Sequence, residues 1–121
     1  MIRDFDLIRR ILLDVEGFPA NSPSMTLSYP DEYDQDVVNE HLCLLIDADL
    51  IHGKPLRAMS GIVQVTVRGL TWAGHDFIDA SKDKAIWEKA KTLIKEKGGA
   101  ITFEVLKSLL TRFVGEGLGL S

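Results

Sequence analysis

The feature that most constrains the fold is a change of hydrophobic period near the middle of the chain. In the segments 4–16 and 34–48 the apolar residues recur every three or four positions, whereas residues 62–68 alternate. Val63, Val65 and Val67 would lie on one face of a strand, with polar side chains between them on the other. A chain that changes period in this way must combine amphipathic helices with a small sheet.

Five helices are predicted from spacing and capping residues. Asp4, Thr71 and Asp83 each precede an apolar periodic segment and are expected to be N-caps. The predicted bounds are Asp4 to Glu16, about Asp34 to Ala48, Trp72 to Ala80, Asp83 to Gly98-Gly99, and Thr102 onward.

The segments that follow the first and the second helix are rich in residues that favour turns. Residues 18–30 contain three prolines and are predicted to form a loop, in which Met25 to Tyr29 could add one short strand. A strand near residue 50, a turn-rich stretch from Gly53 to Gly61 that contains Pro55, and the return strand at 62–68 predict a β-hairpin. This hairpin directly follows a helix.

The order of elements predicts an α+β, mostly α, winged-helix-like domain in which helices surround a small hairpin. A length of 121 residues fits a single domain covering residues 1–121. The wing is expected at about 50–68 and a C-terminal helical extension at about 83–115. The helix usually found between the first helix and the recognition helix is missing, or is replaced by the proline-rich loop.

Four segments also carry a family resemblance. They are Arg3-Asp4-x-Asp6-Leu7-Ile8-Arg9-x-Ile11-Leu12-Leu13, His41-Leu42-x-Leu44-Leu45-Ile46-x-Ala48-x-Leu50-Ile51, Leu70-Thr71-Trp72-x-Gly74-His75-x-Phe77, and Trp87 followed by Lys97-Gly98-Gly99. In this order, and over nearly the whole chain, they resemble a bacterial and prophage family of unknown function (DUF2513-like). The resemblance implies a winged-helix-like fold and a frequent association with phage-derived DNA, and no activity is attached to it.

The negative charge of the second predicted helix argues against its recognising DNA. The chain has a formal charge of −4, which gives no overall attraction to nucleic acid. Seven acids and no lysine or arginine lie between Asp31 and Asp49. A helix with this charge would be repelled by the phosphates of a groove.

The wing has the opposite charge. Residues 50–70 contain Lys54, Arg57 and Arg68 and no acid. Contact of these three side chains with a DNA backbone is one interpretation, and a merely solvated surface is the other.

The last helix has a broad apolar stripe that could serve two purposes. Its members are Val105, Leu106, Leu109, Leu110 and Phe113. The stripe could form a homodimer interface, or it could pack on the core of its own chain.

No catalytic, cofactor-binding or metal-binding pattern is recognisable, and an enzyme is not expected. His41 and Cys43 lie two apart on a helix and are interpreted as structural, the His75 and Asp79 pair as surface residues, and Trp72 and Trp87 as core residues. No apolar run approaches the length of a membrane span. The single cysteine favours the cytoplasm.

These observations leave two functional hypotheses. The first is a non-enzymatic interaction module, phage-associated by resemblance, that binds a protein or a second copy of itself. The alternative is a winged-helix DNA-binding transcriptional regulator that contacts DNA mainly through its basic wing. No small-molecule substrate is evident.

Overall fold

The computed structural model describes residues 1–96 and 102–117. The described residues form seven elements, in the order α1 (Phe5–Glu16), α2 (Gln35–Asp47), β1 (Ile51–Ala58), β2 (Gly61–Leu70), α3 (Trp72–Ser81), α4 (Lys84–Glu96) and α5 (Phe103–Gly117). The chain divides into two compact units, Met1–His75 and Asp76–Ser121. Each unit is described by itself.

In the first unit, α1 and α2 pack against the hairpin and against each other. Helix α1 begins where the Asp4 carboxylate accepts a hydrogen bond from the Leu7 N–H, as predicted. Its periodic apolar side chains are all buried, and α1 contacts β2, whose buried residues are Val65 and Val67. The alternating strand therefore supplies the sheet side of this core.

His41 joins the two helices of the first unit. Its side chain is fully buried, Nε2 accepts a hydrogen bond from the Asp4 N–H at 2.9 Å, and Nδ1 donates to the Val37 carbonyl at 2.8 Å. Both ring nitrogens are therefore occupied by backbone groups. The interpretation of His41 as a structural residue is confirmed.

The strands of the hairpin are longer than the sequence indicated. Strands β1 and β2 pair antiparallel, and Pro55 lies opposite Val65 inside the ladder instead of in a turn-rich stretch. The expectation of a turn from Gly53 to Gly61 was wrong because proline is tolerated where its nitrogen faces away from the neighbouring strand. Only Met59 and Ser60 separate the two strands.

Two irregularities shape the hairpin. The register shifts between His52 and Gly53 and again between Leu56 and Arg57. Each shift leaves one extra residue on β2, namely Arg68 and Val63. Bulges of this kind increase the local twist and redirect the side chain of the extra residue.

The proline-rich loop is fastened at two points. Met25 exchanges two backbone hydrogen bonds with Val67, of 2.8 and 2.7 Å, so the strand expected from Met25 to Tyr29 is reduced to a single bridge. The Tyr29 hydroxyl donates to the Asp14 carboxylate on α1. The loop therefore follows the core closely although it has little regular structure.

Thr71 connects the hairpin to α3. Its hydroxyl donates to the Asp49 carbonyl at 2.6 Å and accepts from the Gly74 N–H at 3.0 Å, which confirms the predicted cap. A Cβ at Gly74 would lie 2.0 Å from the Leu50 carbonyl oxygen. Only glycine permits this close approach of the helix to the strand connection.

Trp72 corrects an expectation. It is 85% exposed, whereas Trp87 is buried as predicted. Gly74, Phe77, Ile78 and Ser81 form the buried side of α3, and 100° per residue places Trp72 on the opposite side. Counting the helical positions from Phe77 would have avoided the error.

In the second unit, α4 packs against α5. Phe77 contacts the ring of Trp87 edge-on and the ring of Phe103 at a centroid distance of 4.9 Å. The Asp83 carboxylate and the Thr102 hydroxyl accept hydrogen bonds from the first turns of α4 and α5, as predicted. The expected end of the fourth helix at Gly98-Gly99 lies outside the described residues.

The architecture is α+β and mostly helical, with a two-stranded antiparallel hairpin between α2 and α3. It is consistent with the expected winged-helix-like arrangement with additional C-terminal helices. The wing predicted at about 50–68 corresponds to β1 and β2, and the extension predicted at about 83–115 corresponds to α4 and α5. The single-domain assignment of residues 1–121 stays a prediction.

Candidate binding surface of the hairpin

The two halves of the hairpin present different chemistry. We define the proximal half as residues 51–54 and 65–70, and the distal half as residues 55–64. The proximal half contains the buried Ile51, Val65 and Val67. The distal half contains no buried residue. Surface side chains of the two halves therefore have to be considered separately.

Lys54 and Arg68, two of the three predicted wing cations, come together in the proximal half. With His52 they line a surface depression of about 440 Å³, to which Asp49 contributes the one carboxylate. Arg68 reaches this position from the bulge in β2. Cationic side chains therefore outnumber carboxylates here.

A second depression, of about 390 Å³, adjoins the first because His52 and Arg68 line both. His75 enters it from the first turns of α3, and the loop residues Asn21 and Ser22 complete its polar wall. Glu16 contributes the one carboxylate. We call this the His-Arg-His depression, after His52, Arg68 and His75.

The cations of the proximal half have no partners among residues 1–96 and 102–117. Among the described residues, neither the Lys54 nor the Arg68 side chain makes a hydrogen bond or an ion pair. By contrast, Arg10 pairs with Glu32 and Arg112 pairs with Glu116. The charges of Lys54 and Arg68 are therefore open to an external anion.

Arg57, the third predicted wing cation, lies apart from the other two. It lines neither proximal depression, and its charge acts on Cys43 of α2, as do those of Glu40 and Asp47. Burial raises the pKa of the Cys43 thiol, and the positive charge of Arg57 opposes that rise. Arg57 thus lies in the field of the acidic helix, and Cys43 is a buried thiol with little thiolate character.

Apolar side chains dominate the distal half. Leu56 is 57% exposed, Val63 is 55% exposed and Met59 at the turn is fully exposed. Ser60, Gly61 and Ile62 line a depression with Asp36 and Glu40 of α2. An apolar turn therefore lies beside carboxylates.

The seven acids between Asp31 and Asp49 are all exposed, as the charge argument requires. Glu32 is neutralised by Arg10 of α1, across a contact of 2.5 Å. No lysine or arginine lies on α2 itself, so most of this surface stays negative.

The predicted interface stripe on α5 is largely used within the protein. Leu106 and Leu110 are fully buried and Phe113 is nearly so, whereas Val105 is 45% exposed and Leu109 is half-buried. A homodimer through these five residues stays a prediction, and the exposed apolar surface available to it is small.

Across residues 1–96 and 102–117, no group of three side chains of the kinds that ligate metals comes together. Asp79 lies 3.7 Å from Lys82, which favours the interpretation of the His75 and Asp79 pair as surface residues. In the same part of the chain, no helix has both the length and the apolar character that crossing a membrane requires.

Comparison with known proteins places these surfaces in a family. The family described as "Hypothetical protein (DUF2513)" matches residues 2–100. The chain belongs to the DUF2513 family. An uncharacterised protein of Haemophilus influenzae (strain ATCC 51907 / DSM 11121 / KW20 / Rd) is 29% identical over 118 residues, which cover 98% of this chain and 99% of that protein. No solved structure gives a significant match.

The part of the chain matched by the DUF2513 family includes both halves of the hairpin and every residue of the His-Arg-His depression. Helix α5 lies beyond it.

Sequence reasoning selected Arg68 in the wing that also contains His52, but it missed His75 as a neighbour of both. Residues on β1, β2 and α3 meet through the register of the hairpin, and no local motif encodes that register.

Proposed function

We propose that this protein is a non-enzymatic interaction module that binds another protein through the distal half of its hairpin and the adjoining acidic surface of α2. The observation that carries the proposal is the full exposure of Met59 together with the 57% exposure of Leu56. The phage-associated setting and the cytoplasmic location stay predictions.

The proposal follows from the combination of apolar and acidic groups. Clustered apolar side chains on a water-exposed turn are commonly interaction sites, because their exposure costs free energy that a partner can recover. Methionine adapts its shape to such partners. The carboxylates of Asp36 and Glu40 beside the turn favour a partner with basic residues around an apolar pocket.

The test is affinity enrichment from the cell that encodes the protein, with quantitative mass spectrometry. The double variant Leu56→Lys/Met59→Lys removes the apolar contact. The control Val105→Lys makes the same type of change at a partly exposed position on α5. A genuine partner is enriched by the wild type and by the control and is lost with the double variant, and the purified pair reproduces this order.

Two results would contradict the proposal. One is the absence of any protein enriched over a tag-only sample, and the other is equal enrichment by the wild type and the double variant. Sedimentation at micromolar concentration tests whether the partner is a second copy of the chain. If the protein is a dimer and Leu56→Lys/Met59→Lys converts it to a monomer, the distal half is the dimer interface. If only Val105→Lys does so, the dimer interface lies on α5 instead.

A second candidate function is contact with a DNA backbone, favoured by the unpartnered Lys54 and Arg68 in one depression. Phosphate contacts of this kind weaken steeply as salt rises. Binding to random duplex DNA is measured at about 50 and about 200 mM salt. Lys54→Gln/Arg68→Gln should abolish the low-salt binding and Arg57→Gln should preserve it. Undetectable binding of the wild type at the lower salt would exclude this function.

A further inference from the structure

The His-Arg-His depression is the surface whose chemistry neither proposal fully uses. Its three side chains come from three elements: His52 from β1, Arg68 from β2 and His75 from α3. All three are exposed. Each of the three side chains is positively charged or becomes so on protonation. Because they line one concave surface, they can contact a single anionic ligand together.

We propose that this depression binds a tetrahedral oxyanion of the phosphate type, with Arg68 as the permanent cation and His52 and His75 as donors that gain charge when protonated. A guanidinium presents several N–H groups in a planar fork that matches two oxygens of such an anion. Each imidazole can donate one hydrogen bond when neutral and two when protonated.

The position of Arg68 supports this role. It is the extra residue of a bulge, where the side chain is redirected relative to the regular ladder. Its guanidinium has no hydrogen bond or ion pair among the described residues. Thr71 fixes the start of α3, and with it His75, against the end of α2 through the Asp49 carbonyl.

The charged groups around the depression determine how binding depends on pH. Glu16 of α1 lines the same concavity, Asp49 lines the adjoining one, and Lys54 extends from β1 nearby. The two carboxylates equal Arg68 and Lys54 in formal charge, so the net positive charge of this region depends on the two imidazoles. Histidine changes charge between about pH 5 and pH 8, and affinity should therefore fall as pH rises through this interval.

The first experiment uses sulfate as the probe, because its charge does not change over this pH range. Proton NMR follows the imidazole C–H signals of His52 and His75 during titration at about pH 5.5 and about pH 8, with chloride at the same ionic strength as the reference. We expect both signals to shift with one common dissociation constant at the lower pH. Binding should be at least about tenfold weaker at the higher pH.

Matched variants separate the depression from general positive charge. Arg68→Gln and Arg57→Gln remove the same charge from the same hairpin, but only Arg68 lines the depression. Arg68→Gln should weaken sulfate binding about tenfold or more, and Arg57→Gln should leave it within about twofold. His75→Gln on α3 is a second variant that leaves the sequence of the hairpin unchanged. It should reduce the pH dependence and leave the part that His52 supplies.

A short random duplex then identifies the source of the anion. If the duplex competes with sulfate for the depression, as followed through the His52 and His75 signals, the site is assigned to nucleic-acid phosphates. Sulfate binding with no response to the duplex assigns it to a small phosphorylated or sulfated ligand. The proposal is overturned if neither probe shifts the two histidines beyond the chloride reference, or if Arg57→Gln weakens binding as much as Arg68→Gln. Apart from the control Arg57→Gln, none of these experiments changes the distal half, so the protein-binding proposal can fail independently.

Discussion

The proximal and distal halves of the hairpin belong to the same two strands but have different physical roles. In the proximal half, Val65 and Val67 are buried on a strand that contacts α1 and α2, and Met25 adds a backbone bridge to β2. In the distal half, Leu56, Met59 and Val63 are exposed. One end of the hairpin is therefore part of the core, and the other end is exposed.

The difference shows why alternation alone is an incomplete guide to a strand. Val63, Val65 and Val67 have equivalent positions in the sequence pattern, yet only the last two are buried. The bulge at Val63 breaks the equivalence. The alternating sequence pattern identifies the strand, but packing against the rest of the protein determines which of its residues stabilise the fold.

The largest expected effect on stability is at Gly74, where α3 follows the proximal half of the hairpin. Gly74→Ala places a Cβ against the Leu50 carbonyl, and we expect it to lower the free energy of unfolding by at least about 3 kcal/mol. Gly69→Ala is the matched control, because no atom lies within 4 Å of the added Cβ. It should change stability by less than about 0.5 kcal/mol in urea denaturation. Equal effects at both glycines would contradict the packing described for α3.

A pair of valine substitutions compares the two halves directly. Val67→Ala removes buried methyl groups and should cost about 2 kcal/mol. Val63→Ala makes the identical chemical change at a position that is 55% exposed, and should cost less than about 0.5 kcal/mol. Thermal and urea unfolding of both variants measure the difference. If the two losses were similar, the division of the hairpin into halves would have no energetic basis.

Tyr29 provides a smaller, pH-dependent test of the loop that bridges to β2. Burial, and next the hydrogen bond to Asp14, raise the pKa of Tyr29. An unfolded tyrosine ionises near about pH 10, so this stabilisation is fully present below that pH and is lost as pH rises beyond it. Tyr29→Phe should cost about 1 kcal/mol at neutral pH and should flatten the alkaline loss of stability. An unchanged alkaline profile would show that Tyr29 does not cause it.

The smallest effect is expected at the distal turn. Met59→Lys replaces a fully exposed side chain and should leave the free energy of unfolding within about 0.5 kcal/mol of the wild type. Circular dichroism during urea titration measures this. A large loss would mean that Met59 contributes to the fold, and the binding tests would then use the smaller substitution Met59→Ser in place of Met59→Lys.

Much of the fold could be predicted from the sequence because caps and periodicity act locally. Asp4, Thr71 and Asp83 all cap the predicted helices, and the first two helices have nearly the predicted bounds. Pro55 was misassigned because its signal for a turn is local, whereas its tolerance in β1 depends on which side of the strand has a neighbour.

The candidate site was less accessible to sequence reasoning. Lys54, Arg57 and Arg68 are similar as a charge pattern, but the structure groups the first and last and leaves Arg57 near Cys43. His52 and His75 are 23 positions apart and carry no common motif. Their proximity to Arg68 results from a shift of register that single-residue preferences do not encode.

Pro55 has one further consequence. Among the described residues, only β2 pairs with β1, so the other edge of β1 has no strand partner there. Proline supplies no N–H there, and a strand from a neighbouring molecule would lack one hydrogen bond in the middle of its pairing. An exposed, partly apolar hairpin can in this way remain available to a partner's side chains while resisting extension of its sheet into aggregates.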